Sequence, residues 1–300
     1  MKRTRLMLTA VVIVLAIAFS GYTANSSFSV TDQIGRNVTF EQIPNRIVSL
    51  APGNTEILYA LGLSDRVVGV STYCDYPEEA TTKPKIGGFS EVSIEAVVAL
   101  EPDVVFATAG VQDRAAEHLT QLGIEVITLD ATSLTEVMDG INLAGIVTGQ
   151  QAIAEELVAD MQSRMYKVQS AIEPWSSENP RTVFYEVWYD PPISVGPGSF
   201  IHDLIELAGG VNIMANSDSS YPIANLEEII HSNPSVIVYA HGAMSTAQVG
   251  ERDGWRQMEA VRTGRVTCLD DENILVRPGP RIIQGLEAMA QSIYPEAFAK

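Results

Sequence analysis

One block of sequence occurs twice in this chain. The first copy, Phe89–Phe106, reads FSEVSIEAVVALEPDVVF, and the second, Tyr221–Val238, reads YPIANLEEIIHSNPSVIV, so equivalent residues lie 132 positions apart without a gap. Each copy has an aromatic residue, a helix-capping residue (Ser93 or Asn225), an apolar helix that a proline ends, and a β-branched strand. Two distant copies of one helix–strand unit predict two lobes of similar construction.

A second pair of segments supports this repeat. Val48–Asn54 resembles Ile193–Ser199, and each reads as a short strand, a Pro-Gly turn and the start of a capped helix. The first of these helices is predicted to begin at Asn54. The separation of this pair is 145 residues, so an insertion distinguishes the two halves.

Strands and helices alternate in both halves, which is typical of parallel sheets with helices on both faces. Predicted strands in the first half are 46–50, 67–70, 104–107 and 126–129, and predicted helices are 54–61, 94–100, 115–122 and 134–148. Predicted strands in the second half are 181–187, 236–240 and 266–269, and predicted helices are 200–208, 226–232 and 281–293. Because ligands of such sheets bind beyond the carboxyl ends of the strands, two facing lobes predict a ligand cleft between them.

Between the halves, Gln150–Ile172 carries one apolar stripe, which predicts a single long helix that ends before Pro174. A surface helix of one lobe would show the same stripe, but the repeat restarts directly after it, which favours a helix that connects the lobes. The predicted fold is therefore α/β, with an N-terminal lobe at 28–148, a connecting helix at 149–173 and a C-terminal lobe at 174–300.

The N-terminus has the pattern of a secretory signal. Met1–Arg5 carries three positive charges, Leu6–Phe19 is apolar except for Thr9, and small residues follow. Residues 1–24 are thus predicted to be a signal peptide, or an anchor if they are not cleaved, and no cysteine follows the apolar run to carry a bacterial lipid anchor. We expect the protein to work outside the cytoplasm. The residues between this segment and Arg46 are interpreted as a polar lead-in.

The charge of the chain excludes one class of partner. Its formal net charge is −18, and an acidic surface repels phosphate backbones, so nucleic-acid binding is not expected. The two cysteines, Cys74 and Cys268, fit no metal or redox motif and are interpreted as free thiols.

Catalytic motifs are absent from the sequence. The four histidines include no pair with the helical spacing of a zinc site, and there is no nucleophile elbow, P-loop or dinucleotide fingerprint. We therefore expect no enzyme activity, no metal site and no cofactor. The alternative from another class is a secreted metal-dependent enzyme that uses His202, His241 and carboxylates.

Several motifs resemble one family. They are Arg46–Pro52, Asn54–Glu56, Gly69–Pro77, Ile94–Val105 and Arg277–Arg281. Together they resemble the cobalamin-binding and ferric-siderophore-binding proteins of ABC importers, the class III periplasmic binding proteins, over about Ile43 to Tyr294. The resemblance implies two α/β lobes joined by one rigid helix, with a small-molecule ligand held between them. It also implies a monomer that delivers this ligand to a permease dimer and its ATPase subunits.

The resemblance assigns a docking role to two acidic residues. One glutamate of each lobe contacts the permease in this family, and the matching residues are Glu95 and Glu227, which are also equivalent in the repeat. The alternative is that both are first-turn acids that interact with the helix dipole, worth about 0.3–1 kcal/mol each.

The resemblance also assigns residues to the cleft. The predicted ligand-binding residues are Tyr73, Phe89, Trp188, Tyr189, Tyr221 and Arg277. Each aromatic residue has an alternative place in a lobe core, and Arg277, which would pair with a ligand carboxylate or phosphate, has an alternative role in a structural salt bridge. A cobalamin-like corrinoid is the favoured cargo. Departures from the cobalamin pattern at Thr108, Ile193 and Asn273–Ile274 leave other corrinoids, ferric siderophores and haem open.

Overall fold

The computed structural model of this protein describes residues 27–299, so the predicted signal at 1–24 lies outside the described residues. Before the long helix the strands are β1 (Phe28–Thr31), β2 (Asn37–Phe40), β3 (Ile47–Ser49), β4 (Val67–Val70), β5 (Val104–Thr108) and β6 (Glu125–Leu129). The helices of this N-terminal lobe are α1 (Pro52–Ala60), α2 (Ile94–Ala99), α3 (Asp113–Gln121) and α4 (Leu134–Thr148).

Helix α5 (Gln151–Ser176) then leads to the C-terminal lobe. Its strands are β7 (Thr182–Glu186), β8 (Trp188–Tyr189), β9 (Pro192–Ile193), β10 (Val211–Asn212), β11 (Val236–Tyr239) and β12 (Val266–Cys268). Its helices are α6 (Phe200–Leu207), α7 (Leu226–Ser232), α8 (Thr246–Gly250), α9 (Glu259–Arg262), α10 (Asn273–Val276) and α11 (Ile282–Ile293). The predicted α/β class is confirmed.

The two main sheets have the same strand order. The first is ordered β4-β3-β5-β6 and the second β10-β7-β11-β12, and every neighbouring pair is parallel. In each sheet the strand that comes first lies second from one edge, and the strand of the repeated block pairs with it. The repeat in the sequence is therefore a repeat of sheet topology.

The repeated block also has the same backbone geometry in both copies. The Ser93 and Asn225 side chains each accept a hydrogen bond from an N–H in the first turn of the following helix. At the other end of those helices, Glu101 and Asn233 both adopt the left-handed conformation, with φ of 46° and 44°. They are equivalent in the repeat, and they are the two non-glycine residues with positive φ within residues 27–299.

Helix α5 passes the proline at which it was predicted to stop. It spans 26 residues, or roughly 39 Å at 1.5 Å per residue, and Pro174 lies inside its last turn. Pro174 has no N–H to donate within the helix, and the bond from the Ser177 N–H to the Glu173 carbonyl (3.2 Å) closes the end. The buried residues of α5 belong to one apolar core that runs through both lobes.

Helix α1 begins two residues before its predicted start at Asn54. Its N-cap is Ala51, which has extended backbone and no side-chain cap, and Pro52 occupies the first helical position. Proline is favoured there because the first N–H groups of a helix have no partner within it. Asn54 therefore lies inside the first turn and does not cap the helix.

Two hairpins were not predicted. The interpretation of the N-terminal stretch as a polar lead-in was wrong, since β1 and β2 pair in an antiparallel hairpin in which Phe28 stacks on Phe40 at 5.3 Å. The second hairpin joins β8 to β9, which have two residues each. Cys74 is buried, Cys268 is half-buried, and both are free thiols. Within residues 27–299, no helix has the length and apolar character needed to cross a bilayer.

Candidate functional site

A cavity of about 440 Å³ lies between the lobes, as the alternation of strands and helices predicts. The N-terminal lobe lines it with Ala51, Pro52, Gly53, Tyr73, Phe89, Ser90 and Thr108, and the C-terminal lobe with Val276, Arg277 and Pro278. The N-terminal residues follow β3 and β4 or end β5, so the cavity lies at the carboxyl ends of parallel strands. Its size falls within the roughly 300–1,000 Å³ of small-molecule sites.

The lobes approach each other closely at one edge of this cavity. A Cβ atom on Gly53 would lie 2.8 Å from the Pro278 carbonyl oxygen, a distance that real side chains do not adopt. Glycine is thus required at this position for the turn after β3 to contact the loop between α10 and α11.

Ion pairs join the lobes next to this contact. Glu56 of α1 is 3% exposed, and both of its carboxylate oxygens accept hydrogen bonds from Arg281, at 2.7 and 2.9 Å. The bond to Glu56 raises the pKa of the Arg281 guanidinium. Arg281 also donates to Asp271 at 3.0 Å. We call these ion pairs between the lobes the seam, and their charges compensate one another.

Arg277 lies at both the cavity and the seam. It donates to the two carboxylate oxygens of Asp75 in the N-terminal lobe and lies 3.6 Å from the Glu56 carboxylate. The hydrogen bond from Arg277 is the main cause that lowers the pKa of Asp75. Its role toward a ligand stays a prediction, and a ligand anion would compete with Asp75 for the same guanidinium.

Tyr73 and Phe89 lie together in the cavity wall. Tyr73 is 61% exposed, as expected of a side chain that lines an open cavity. The loop of Phe89 is held by the buried side chain of Gln112, which donates to the Phe89 carbonyl (2.8 Å) and the Leu50 carbonyl (2.9 Å) and accepts from the Thr108 N–H (2.8 Å). One glutamine thus fixes the ends of β3 and β5 and the loop of Phe89. No pattern in the sequence indicates this role.

The other predicted aromatic residues are not among those that line the cavity. Trp188 and Tyr189 pack around the His241 ring, with centroids 5.8 and 5.9 Å from it. Tyr221 lies in the exposed segment beside β9 and is 52% exposed. Their roles in ligand binding stay predictions.

A buried charged cluster supports the Trp188–Tyr189 hairpin. Glu186 has a fully buried side chain, accepts a hydrogen bond from His241 Nε2 at 2.9 Å, and is paired with both terminal nitrogens of Arg252. The Arg252 guanidinium in turn lies 4.4 Å from the centroid of Trp255. His241 therefore has a partner inside its lobe. His202, the other histidine of the alternative enzyme hypothesis, contacts Asn212 at 3.0 Å.

The two predicted docking residues occupy matching places. Glu95 is exposed in the first turn of α2, and Glu227 is exposed in the first turn of α7. Neither lines the cavity between the lobes. In the described part of the chain, no three histidine, cysteine or acidic side chains come together in a group that could hold a metal ion.

Two lobes with matching sheets, joined by one helix and separated by a cavity, define a two-lobed solute-binding protein. A family model described as periplasmic binding protein matches residues 47–273, and the chain belongs to this family.

Relatives and solved structures agree with this assignment. The chain is 37% identical to the uncharacterized ABC transporter substrate-binding lipoprotein YvrC of Bacillus subtilis, over 90% of this chain and 86% of the relative. It is 33% identical to a cobalamin-binding protein of Halobacterium salinarum, over 89% and 75% of the two chains. The crystal structure of the periplasmic vitamin B12 binding protein BtuF of Vibrio cholerae superposes with a TM-score of 0.75 at 29% identity, over 86% of this chain and 99% of that one.

The protein is thus a substrate-binding protein of an ABC importer. Proteins of this kind function with a permease and an ATPase, and they meet their ligand outside the cytoplasm.

Proposed function

We propose that the protein captures a cobalamin-like corrinoid in the cavity between its lobes and delivers it to the permease of an ABC importer. The observation that carries this proposal is the apolar cavity wall that Tyr73 and Phe89 provide at the carboxyl ends of β4 and its neighbours. Rigid aromatic faces suit a flat macrocycle because they bury a large area with little loss of side-chain entropy. The cobalamin-binding relatives at about one-third identity support the same ligand.

The experiment is a titration of the mature protein with cyanocobalamin, followed by calorimetry and by thermal shift. Haemin and a ferric catecholate serve as competing probes. We expect saturable one-to-one binding of cyanocobalamin that Phe89→Ala weakens, with Phe28→Ala, in the distant hairpin, as the matched control. No heat and no thermal shift with cyanocobalamin, together with saturable binding of another probe, would overturn the corrinoid proposal.

Haem is the second candidate, and one side chain favours it. Tyr73 presents an exposed phenol at the cavity, and tyrosine is one of the axial ligands that proteins offer to haem iron. Haemin bound through this oxygen would show a tyrosinate-to-iron charge-transfer band, which Tyr73→Phe would abolish. Cyanocobalamin binding should survive Tyr73→Phe because the ring face remains.

We further propose that Glu95 and Glu227 are the contacts to the permease, one from each lobe. Their support is the equivalence of the two positions in the repeat and their exposure outside the cavity. The N-terminal residues 1–24 would export the chain to the periplasm or the outer face of the membrane, where it acts as a monomer.

A further inference from the structure

A second, smaller cavity adjoins the first. Its volume is about 160 Å³, and it shares Phe89, Thr108, Val276 and Pro278 with the larger cavity. We call it the inner chamber. Because a water molecule occupies about 30 Å³ of liquid, the inner chamber has room for a ligand side arm but not for a macrocycle.

One wall of the inner chamber carries a buried amide without a partner. Asn54 is 1% exposed, and its side-chain nitrogen makes no hydrogen bond to any of residues 27–299. Burial of an unsatisfied polar group costs about 1–3 kcal/mol. Since Ala51 and Pro52 already form the start of α1, the helix does not need this amide. A partner from outside the chain would account for it.

Besides Asn54, the polar side chains that line the inner chamber are the Thr108 hydroxyl, two carboxylates and the Gln33 amide. Asp130 and Glu136 line it, and hydrogen bonds from Thr132 lower the pKa of Glu136, so that this carboxylate is charged at neutral pH. The Gln33 amide donates to the Glu136 carbonyl at 2.8 Å and accepts from the Asp130 N–H at 3.0 Å. No lysine, arginine or histidine is among the described residues that line the inner chamber.

These groups select the chemistry of an arm that enters. A carboxylate would meet two carboxylates without a compensating cation, and like charges at close range are unfavourable. A purely apolar arm would leave Asn54 unpaired. A primary carboxamide can donate to a carboxylate oxygen and also bond to the Asn54 amide, and it carries no charge.

We propose that the inner chamber is a subsite for a neutral carboxamide arm of the ligand, with Asn54 as its specificity-determining residue. The inference rests on the proposed function, because corrinoids carry carboxamide arms around the ring whereas haem carries two carboxylates. The two cavities thus differ in charge, since the larger one has the cation Arg277 and the inner chamber has two carboxylates.

The first test uses the subsite without the macrocycle. Propionamide and propionate are titrated into protein labelled with ¹⁵N, and the side-chain amide signals of Asn54 are followed by NMR. We expect saturable shifts with propionamide and none with propionate, and the backbone amide signals of Ala131 and Val137, which also line the inner chamber, should respond in the wild type but not in Asn54→Leu. The matched control is Asn142→Leu, which removes an asparagine of α4 that also has an unpaired side-chain atom but lines neither cavity. Equal responses to both probes, or no response of Asn54, would overturn the subsite.

The second test uses the corrinoid. Cyanocobalamin is compared with its monocarboxylates, in each of which one carboxamide arm has been hydrolysed. We expect one isomer to bind wild-type protein at least 10-fold more weakly than cyanocobalamin, and Asp130→Asn to reduce that difference. Asn54→Leu should weaken cyanocobalamin by about 5- to 30-fold, which corresponds to one to two hydrogen bonds of about 1 kcal/mol.

The outcomes separate the two proposals. If the protein responds to propionamide but does not bind cyanocobalamin, the carboxamide subsite stands and the corrinoid proposal is overturned. A protein that binds cyanocobalamin and all its monocarboxylates equally, with Asn54→Leu unchanged, retains the corrinoid proposal and loses the subsite.

Discussion

The two lobes share their strand order and their capped helices, but they contribute unequally to the cavity. The N-terminal lobe lines it with residues from three strand ends, whereas the C-terminal lobe supplies only Val276–Pro278. At the strand ends of the C-terminal lobe, His241 and Arg252 instead bond to Glu186 of the same lobe. A repeated architecture therefore does not imply a repeated function. Strand ends of the first sheet border the cavity, whereas Glu186, at the end of β7 in the second sheet, forms ion pairs within its own lobe.

The equivalent Pro-Gly turns show this difference residue by residue. Ser199 caps α6, since its hydroxyl accepts a hydrogen bond from the His202 N–H at 3.2 Å. Asn54, at the matching turn, lies within α1 and borders the inner chamber. The turn at Ser199 thus caps a helix, whereas the turn at Asn54 leaves a buried amide without a hydrogen-bond partner among the described residues, beside the inner chamber.

The largest expected effect is on the C-terminal lobe alone. Glu186→Gln removes the charge that compensates Arg252 in a buried site, and loss of one partner of a buried ion pair costs about 3–5 kcal/mol. Urea unfolding should show this decrease in the free energy of unfolding, while the affinity of the folded variant for cyanocobalamin stays within about twofold. The control is Glu287→Gln, whose partly exposed pair with Arg164 is worth about 0–1 kcal/mol. A large loss of affinity in Glu186→Gln would mean that the cluster serves the ligand.

The two lobes should contribute equally to docking on the permease. Reversing both charges with Glu95→Lys and Glu227→Lys would place like charges against a basic permease surface, at a cost of several kcal/mol. We expect ligand uptake by cells to fall by roughly a hundredfold or more, with in vitro ligand affinity unchanged. Each single reversal should have a similar, smaller effect. Normal uptake by the double variant would leave the helix-dipole interpretation.

Aromatic substitutions in the two lobes should differ in their effect on ligand affinity. Tyr73→Ala removes a lining side chain and should weaken cyanocobalamin binding by about 1–3 kcal/mol. Trp188→Ala tests the predicted ligand role of a side chain that packs on His241 and is not among the residues that line the cavity. Without a ligand contact, its effect on affinity should be below about 0.5 kcal/mol. Calorimetry on both variants is the measurement. Equal losses would place the Trp188 hairpin at the ligand and restore symmetry between the lobes.

The smallest effect concerns the Asp75–Arg277 pair that bridges the lobes. Because Arg277 lowers the pKa of Asp75, the ionised pair stabilises the protein at pH values above the ordinary aspartate pKa of about 3.9, and this contribution is lost as the pH falls through the folded-state pKa. The Asp75 side chain is 60% exposed, so its contribution is at most about 1 kcal/mol. The stability difference between wild type and Asp75→Asn should be constant above about pH 5 and vanish near pH 2. A difference that persists at low pH would show a cause other than charge.

Local patterns predicted much of this fold. The apolar alternation located the principal strands, and the repeated block located α2, α7 and their following strands, because each signal lies within a short stretch of chain. Tyr73 and Phe89 were assigned to the cavity by motif, and both lie there. Strands of two residues, such as β8 and β9, carry too short a pattern to detect.

Pairings between distant residues could not be predicted in the same way. Glu56 and Arg281 both stood in recognised motifs, but nothing in either motif shows that their side chains meet. Asn54 followed a Pro-Gly turn and matched the usual pattern of a helix cap. Only the actual start of α1 at Pro52 shows that its amide has no such task.

The Glu56–Arg281 ion pair between the lobes can form only late in the synthesis of the chain. Glu56 and Arg281 are 225 residues apart, and a ribosome adds about 5–20 residues per second, so roughly 10–45 s pass between the emergence of one partner and the other. This contact between the lobes thus requires almost the whole chain, and a truncated product that ends before Arg281 cannot form it.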